Sequence, residues 1–219
     1  MIKSNDIHFE TKKVEVPASK TLLVVVDMQN DFVRPSGNIY VGPMAPKSVA
    51  KIKRLLHLAR EKNVRIIYTQ SWYDKNNPRF VGKERARGTV GCVANTGGAE
   101  IIRELRPKGE LRFKKSSYDC WFGTNLEKAL LSLKGGIFSP SSVHHNRERN
   151  EFYSVITGTA TNVCVESAVH GFYLRGYELI IPIDCVSASS ALEQACAINH
   201  FEKYYGARIT SSDLITFVQ

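Results

Sequence analysis

The sequence predicts an α/β protein of three layers: a doubly wound, mostly parallel six-stranded sheet with helices on both faces. Two observations predict it. Short apolar runs rich in β-branched residues alternate with helix-period segments along the chain, and no internal repeat interrupts that order. The strand runs are also apolar at consecutive positions, as strands covered on both faces must be. Parallel neighbours then need right-handed crossovers, which the intervening helices supply.

The elements follow in order. Residues 21–27, "TLLVVVD", form a buried strand that ends in an acid. A helix over 46–63 has Pro46 at its start and Asn63 near its end. "VRIIYTQ" (64–70) is a second buried strand. "GGAEIIRELRP" (97–107) reads as a short helix between a glycine pair and a proline, and "GELRFKK" (109–115) as a third strand. Thr124 is the N-cap expected for a helix over 124–136, with glycines at its exit. The pattern then continues through a strand at 152–158, a helix at 162–176, a strand at 177–184, a helix at 190–206 and a last strand at 207–212.

Two connections exceed ordinary length. Residues 72–98 leave the carboxyl end of the second strand, the edge where open α/β sheets bind ligands. Residues 135–150 enter the amino end of the next strand, so only the first connection is a pocket candidate. A single domain over residues 1–219, with its core at about 20–215, accommodates all of this.

Composition narrows the classes. No apolar run reaches the ~18 residues of a membrane span, and the first 20 residues are charged throughout without an apolar signal core, so a cytoplasmic protein is expected. The net charge of +9 is dispersed, and no RNA-binding signature or zinc-finger spacing accompanies it, so neither nucleic acid nor membrane is an expected partner. An anionic substrate would use that charge more economically. The five cysteines form no CxxC pair and no Cys/His cluster, which argues against a disulfide scaffold or structural zinc. Cys120, Cys185 and Cys196 are expected to pack in the interior, and Cys92 is undecided.

Chemistry gathers at the carboxyl ends of the strands. Asp27 ends the first strand, Lys115 closes the third and Cys164 follows the fourth. In a doubly wound sheet all three project from one edge, with the first and fourth strands flanking the topological switch point. Carboxylate, ammonium and thiol together suit nucleophilic acyl transfer. A helix N-terminus and a nearby cation would lower the thiol pKa, and Asp27 could take its proton and later deliver it to a leaving amine.

The segments "VVVDMQNDF", "KSSYDCWFGTNL" and "ITGTATNVCVES" together resemble cysteine hydrolases of the isochorismatase-like superfamily, in the same order over roughly residues 20–215. The resemblance implies the isochorismatase-like hydrolase fold and a catalytic triad of Asp27, Lys115 and Cys164. Lys115 is favoured over Lys114 because Tyr118, Trp121 and Thr124 keep the expected offsets only from Lys115. It also implies a cis Thr159–Ala160 bond, an oxyanion hole made by the N–H groups of Ala160 and Cys164, and a homodimer or homotetramer. Ureidoacrylate, biuret and N-carbamoylsarcosine amidohydrolases are the relatives it points to, and no cofactor is implied.

Departures from the family refine this. Nicotinamidases carry a metal-binding Asp-x-His after the second strand, where this chain has Ser71 and Tyr73, so no metal is expected and nicotinamidase is disfavoured. Isochorismatases lack the nucleophilic cysteine present here, which leaves C–N hydrolysis of a small ureido, carbamoyl or amide compound. A nicotinamidase-type amidase, a non-catalytic binding or redox-sensing homologue and a nucleotide-binding domain are the alternatives, though no GxGxxG or P-loop follows the first strand. Gln29, Asn30 and Phe32 are candidates to line the pocket, Asn30 alternatively to fix the loop. Trp72 and Trp121 are candidate pocket walls or core aromatics, and one of Arg79, Arg85 and Arg87 is a candidate clamp for a substrate carboxylate.

Overall fold

The computed structural model describes residues 9–76, 88–132 and 152–219. Its strands are β1 (Val14–Pro17), β2 (Thr21–Val26), β3 (Arg65–Ser71), β4 (Leu111–Lys115), β5 (Tyr153–Thr159), β6 (Glu178–Pro182), β7 (Val186–Ser187), β8 (Arg208–Thr210) and β9 (Ile215–Val218). The helices are α1 (Asn30–Val33), α2 (Met44–Glu61), α3 (Leu126–Ser132), α4 (Glu166–Tyr173) and α5 (Ala191–Tyr205). The main sheet runs β4-β3-β2-β5-β6-β8, with β7 paired to the end of β5, and every described pairing is parallel.

The period-two alternation of side chains divides each strand between two cores. Leu23 and Val25 of β2 meet Ile52, Leu55, Leu56 and Ala59 of α2 on one face. Leu22, Val24 and Val26 meet Leu126, Val169, Phe172 and Phe201 of α3, α4 and α5 on the other. A strand used on both faces has no polar side to show, and for this reason all six residues of β2 are buried. The expected three-layer, doubly wound class is the one observed.

Two features depart from the sequence reading. Residues 97–107 do not form an α-helix but two 3₁₀ turns, Gly97–Ala99 and Arg103–Leu105, joined by a bridge between Ile101 and Gln29. The backbone groups a helix would pair internally are taken by distant partners. The Glu100 carbonyl accepts from Asn30 N–H at 2.9 Å, and Ile102 N–H donates to the Met28 carbonyl at 2.9 Å. Gly98 lies so close to Asp31 that a Cβ there would come within 2.2 Å of its carboxylate. The second departure is a two-stranded sheet: β1 pairs with β9, and Val14, Val16, Ile215 and Phe217 extend the α2-side core.

Smaller differences concern the ends of elements. The helix expected over 162–176 opens with a π-type turn, Thr161–Val165, before α4 begins. The connection 135–150 lies outside the described residues. Among the described residues, no helix is long and apolar enough to cross a membrane.

Candidate active site

The site is built where β2 and β5 part. Their register pairs Val26 with Gly158, so the residues that follow both strands emerge side by side at the switch point. Gly158 allows this approach: it has φ 115°, and a Cβ would sit 2.0 Å from the Val26 carbonyl oxygen. Asp27, next along from Val26, turns into the left-handed region at φ 48° while its N–H donates to the Thr69 carbonyl at 3.2 Å.

That turn leaves the Asp27 carboxylate fully buried, with every distance to its donors short. Thr69 Oγ1 donates to Oδ1 at 2.7 Å, and Ser71 Oγ donates to Oδ2 at 2.9 Å. Lys115 Nζ completes the set 2.6 Å from Oδ2, both side chains being fully out of solvent. The ammonium has further partners: it donates to the Ser117 carbonyl at 3.0 Å and lies 3.3 Å from Ser71 Oγ and 3.4 Å from Cys164 Sγ. Burial is the largest single influence and would lower the lysine pKa, but the charge and hydrogen bond of Asp27, together with Cys164 and Tyr73, outweigh it and hold the group above its ordinary value. Adjacent Lys114 points the other way on β4, over the Trp72 ring at 3.4 Å. Strand alternation therefore separates the two lysines, one in the site and one at the surface.

Cys164 arrives from the opposite side, inside the π-type turn. The Ala160 carbonyl anchors this turn by accepting from Val163 N–H at 3.0 Å and Val165 N–H at 3.1 Å, and the Thr159–Ala160 bond before it is cis. Turns of this kind recur at functional sites because they displace one residue from the regular helical path. Thr161 ties the turn to α5 through Oγ1 donating to Gln194 Oε1 at 2.6 Å. Burial pushes the Cys164 thiol up to about 12; Lys115 opposes that, and the charge and hydrogen bond of Asp27 reinforce it. The site therefore shifts the thiol upward, opposite to the lowering anticipated from a helix N-terminus and a nearby cation.

Cys164 and Ala160 open onto a cavity of about 200 Å³. Phe32, Ile39, Val41 and Val163 give it apolar walls, Tyr73 and Tyr118 contribute aromatic ones, and Asn162, Ser189 and Glu193 a polar end. Of the residues singled out in the sequence, Phe32 is therefore on the wall and Gln29 is not. Gln29 Nε2 donates to the carbonyls of Ser71 and Ala99 at 2.7 Å each, and its Oε1 accepts from Ser71 N–H at 2.8 Å. It is a strut between β3 and the 97–99 turn. Asn30 takes the loop-fixing role, with Nδ2 donating to the Gly97 carbonyl at 2.8 Å. Trp72 packs beside the α2-side core under Lys114, and Trp121 packs edge-on to Phe172 at 4.9 Å beneath Arg175 at 3.7 Å, so neither ring walls the cavity. Arg79, Arg85 and Arg87 lie outside the described residues.

Several contributors were not singled out as pocket residues. Thr69 looks like any strand threonine, and nothing near Ile39, Val41 or Glu193 in sequence signals a shared wall. The cysteines also sort differently from expectation: Cys92, Cys120 and Cys185 are buried, whereas Cys196 is exposed on α5 and is not a packing residue. All five are free thiols.

Fold and site define an α/β protein with a closed acid–lysine–thiol cluster at its topological switch point. The chain belongs to the isochorismatase family, whose domain it matches over residues 21–213. It is 27% identical over 229 residues to ureidoacrylate amidohydrolase RutB of Caulobacter segnis, covering 91% of this chain and 86% of that one. Among solved structures it resembles N-carbamoylsarcosine amidase from Thermoplasma acidophilum, at 26% identity and TM-score 0.69 over 89% of this chain and 97% of the other. It also resembles pyrazinamidase of Pyrococcus horikoshii in complex with zinc, at 27% identity and TM-score 0.69 over 88% and 99% of the two chains.

The residues of this chain do not suit a zinc ion at the position after β3. Ser71 Oγ is committed to Asp27, Tyr73 brings a phenol, and among the described residues no group of three His, Cys, Asp or Glu could hold a metal.

Proposed function

We propose that the chain is a cysteine amidohydrolase that cleaves the C–N bond of a small ureido, carbamoyl or amide compound. The observation that carries this reading is the contact chain Asp27 Oδ2–Lys115 Nζ–Cys164 Sγ, at 2.6 and 3.4 Å, whose last member lies on the wall of a cavity. The names of the relatives, ureidoacrylate amidohydrolase and N-carbamoylsarcosine amidase, support the substrate class.

In this mechanism Asp27 takes the thiol proton as Sγ bonds to the substrate carbonyl carbon, and Lys115 offsets the negative charge passing between sulfur and carboxylate. The carbonyl oxygen becomes an oxyanion held by the N–H groups of Ala160 and Cys164, fixed donors of a kind that each contribute roughly 2.7–4 kcal/mol to a transition state. The C–N bond breaks as Asp27 returns its proton to the departing nitrogen, leaving a thioester and free ammonia or amine. Water then gives a proton to Asp27 and its hydroxide to the acyl carbon, and the sulfur leaves and recovers the proton.

The test is ammonia and amine release from a panel of ureido acids, biuret, N-carbamoyl amino acids and simple amides. The folded wild-type chain turns over at least one of them, and Cys164→Ala, with an unchanged melting profile, turns over none. Undiminished turnover by Cys164→Ala, or stoichiometric alkylation without turnover of any compound, would replace this reading with another.

A further inference from the structure

The chain carries a net charge of +9, yet two adjoining cavities, the first of which opens onto Cys164, show the opposite polarity on their described walls. Glu193 is the one charged residue on the described wall of the first cavity. A second, more open cavity of about 430 Å³ adjoins it across Tyr118, Asn162 and Val163, and there Glu166 faces the space beside His170. Among the described residues no lysine or arginine lines either cavity; the Lys115 ammonium is sealed behind Asp27 and the sulfur.

Glu193 has a structural duty as well. It lies in the first turn of α5 behind the N-cap Ser190, whose Oγ accepts from Glu193 N–H at 3.2 Å, while the carboxylate Oε2 accepts from the hydroxyls of Ser189 and Ser190. The first of these bonds caps α5, and the others tie the carboxylate to the two serines that lead into it. Two consequences follow for a ligand. The positive end of α5 already has its counter-charge, so it has little attraction left for a substrate anion. Both hydroxyl bonds fall on Oε2, which leaves Oε1 to accept from whatever occupies the polar end of the cavity.

We infer that Glu193 sets substrate class: the arm of the substrate remote from the scissile carbonyl ends in an N–H-rich or cationic group, not in a carboxylate. This deepens the amidohydrolase reading and rests on it. Apolar Phe32, Ile39 and Val41 flank the path, so the arm is a short hydrocarbon spacer between a ureido or carbamoyl head and an amine-type tail. Glu166 continues the same preference for a longer arm.

Three N-carbamoyl compounds of equal spacer length test this, their tails being ammonium, hydroxyl and carboxylate. Affinities are measured by calorimetry on Cys164→Ala, and kcat/KM on the wild type, each with and without Glu193→Gln. Glutamine keeps the backbone N–H that bonds to Ser190 Oγ and an oxygen for the serine hydroxyls, and a melting profile verifies it. The expected result is that the ammonium compound binds Cys164→Ala more tightly than the carboxylate one. Glu193→Gln reduces that ratio by about tenfold, the difference between a charge-assisted and a neutral hydrogen bond. A carboxylate preference, or a ratio that Glu193→Gln leaves unmoved, overturns the inference. Charge preference in binding with no turnover of any tail would instead sink the amidohydrolase reading and leave Glu193 selecting a ligand, not a substrate.

Discussion

Replacing Lys115 by methionine probes the physical basis of the site most sharply. The substitution preserves much of the side-chain volume and removes the ammonium that stands 2.6 Å from Asp27 Oδ2, with both side chains fully buried. What remains is a carboxylate with two hydroxyl donors, Thr69 and Ser71, and no cation. Stranding one member of a buried pair costs about 3–5 kcal/mol, far more than the net worth of the pair itself. In a chain of 219 residues that corresponds to a fall in Tm of roughly 6–20 °C. Urea unfolding followed by circular dichroism at pH 7.5 measures it. The double variant Asp27→Asn/Lys115→Met removes both charges, so its loss should fall well below the sum of the two single losses, with a coupling of about 3 kcal/mol. A loss below about 1 kcal/mol for Lys115→Met, the range of exposed ion pairs, or strict additivity in the cycle, would refute the sealed pair on which the site depends.

Two further outcomes follow from neighbouring features. Because burial and Asp27 push the Cys164 thiol up to about 12, its alkylation by iodoacetamide without substrate should rise about tenfold per pH unit from pH 7 past pH 10. Peptide mass spectrometry separates it from exposed Cys196, and a plateau below pH 9 would show a thiolate already present at rest. Gly158→Ala would place a Cβ 2.0 Å from the Val26 carbonyl oxygen at φ 115°, and should destabilise the chain by at least about 4 kcal/mol. A Tm within a few degrees of wild type would show that β2 and β5 can separate at no cost there.

What the sequence discloses, and what it withholds, has a physical pattern. β2, β3 and β5 were legible because strands covered on both faces leave an unbroken apolar run, and the ends of those runs place Asp27 and the Cys164 turn at one edge. Lys115 was legible through its offsets to Tyr118, Trp121 and Thr124. The 97–107 segment misled because "EIIREL" has helical spacing, while the bonds that override it come from Met28 and Asn30, some seventy residues away. Gln29 was read as a pocket residue for the same reason: its three hydrogen bonds to Ser71 and Ala99 exist only after β3 and the 97–99 turn are in place. The cavity wall drew on Ile39, Val41, Ser189 and Glu193, which reach it from loops and a helix start whose meeting no local pattern encodes. Glu193 in particular reads as a first-turn acid behind the N-cap Ser190, which conceals its exposure to the cavity.

The most direct test of the proposed chemistry is the mass of the protein quenched in acid during turnover of a compound it hydrolyses. A thioester on the tryptic peptide that contains Cys164, equal in mass to the acyl part of that compound, is the predicted result. Turnover at a steady rate with no adduct on Cys164 at any quench time, together with undiminished hydrolysis by Cys164→Ala, would contradict it.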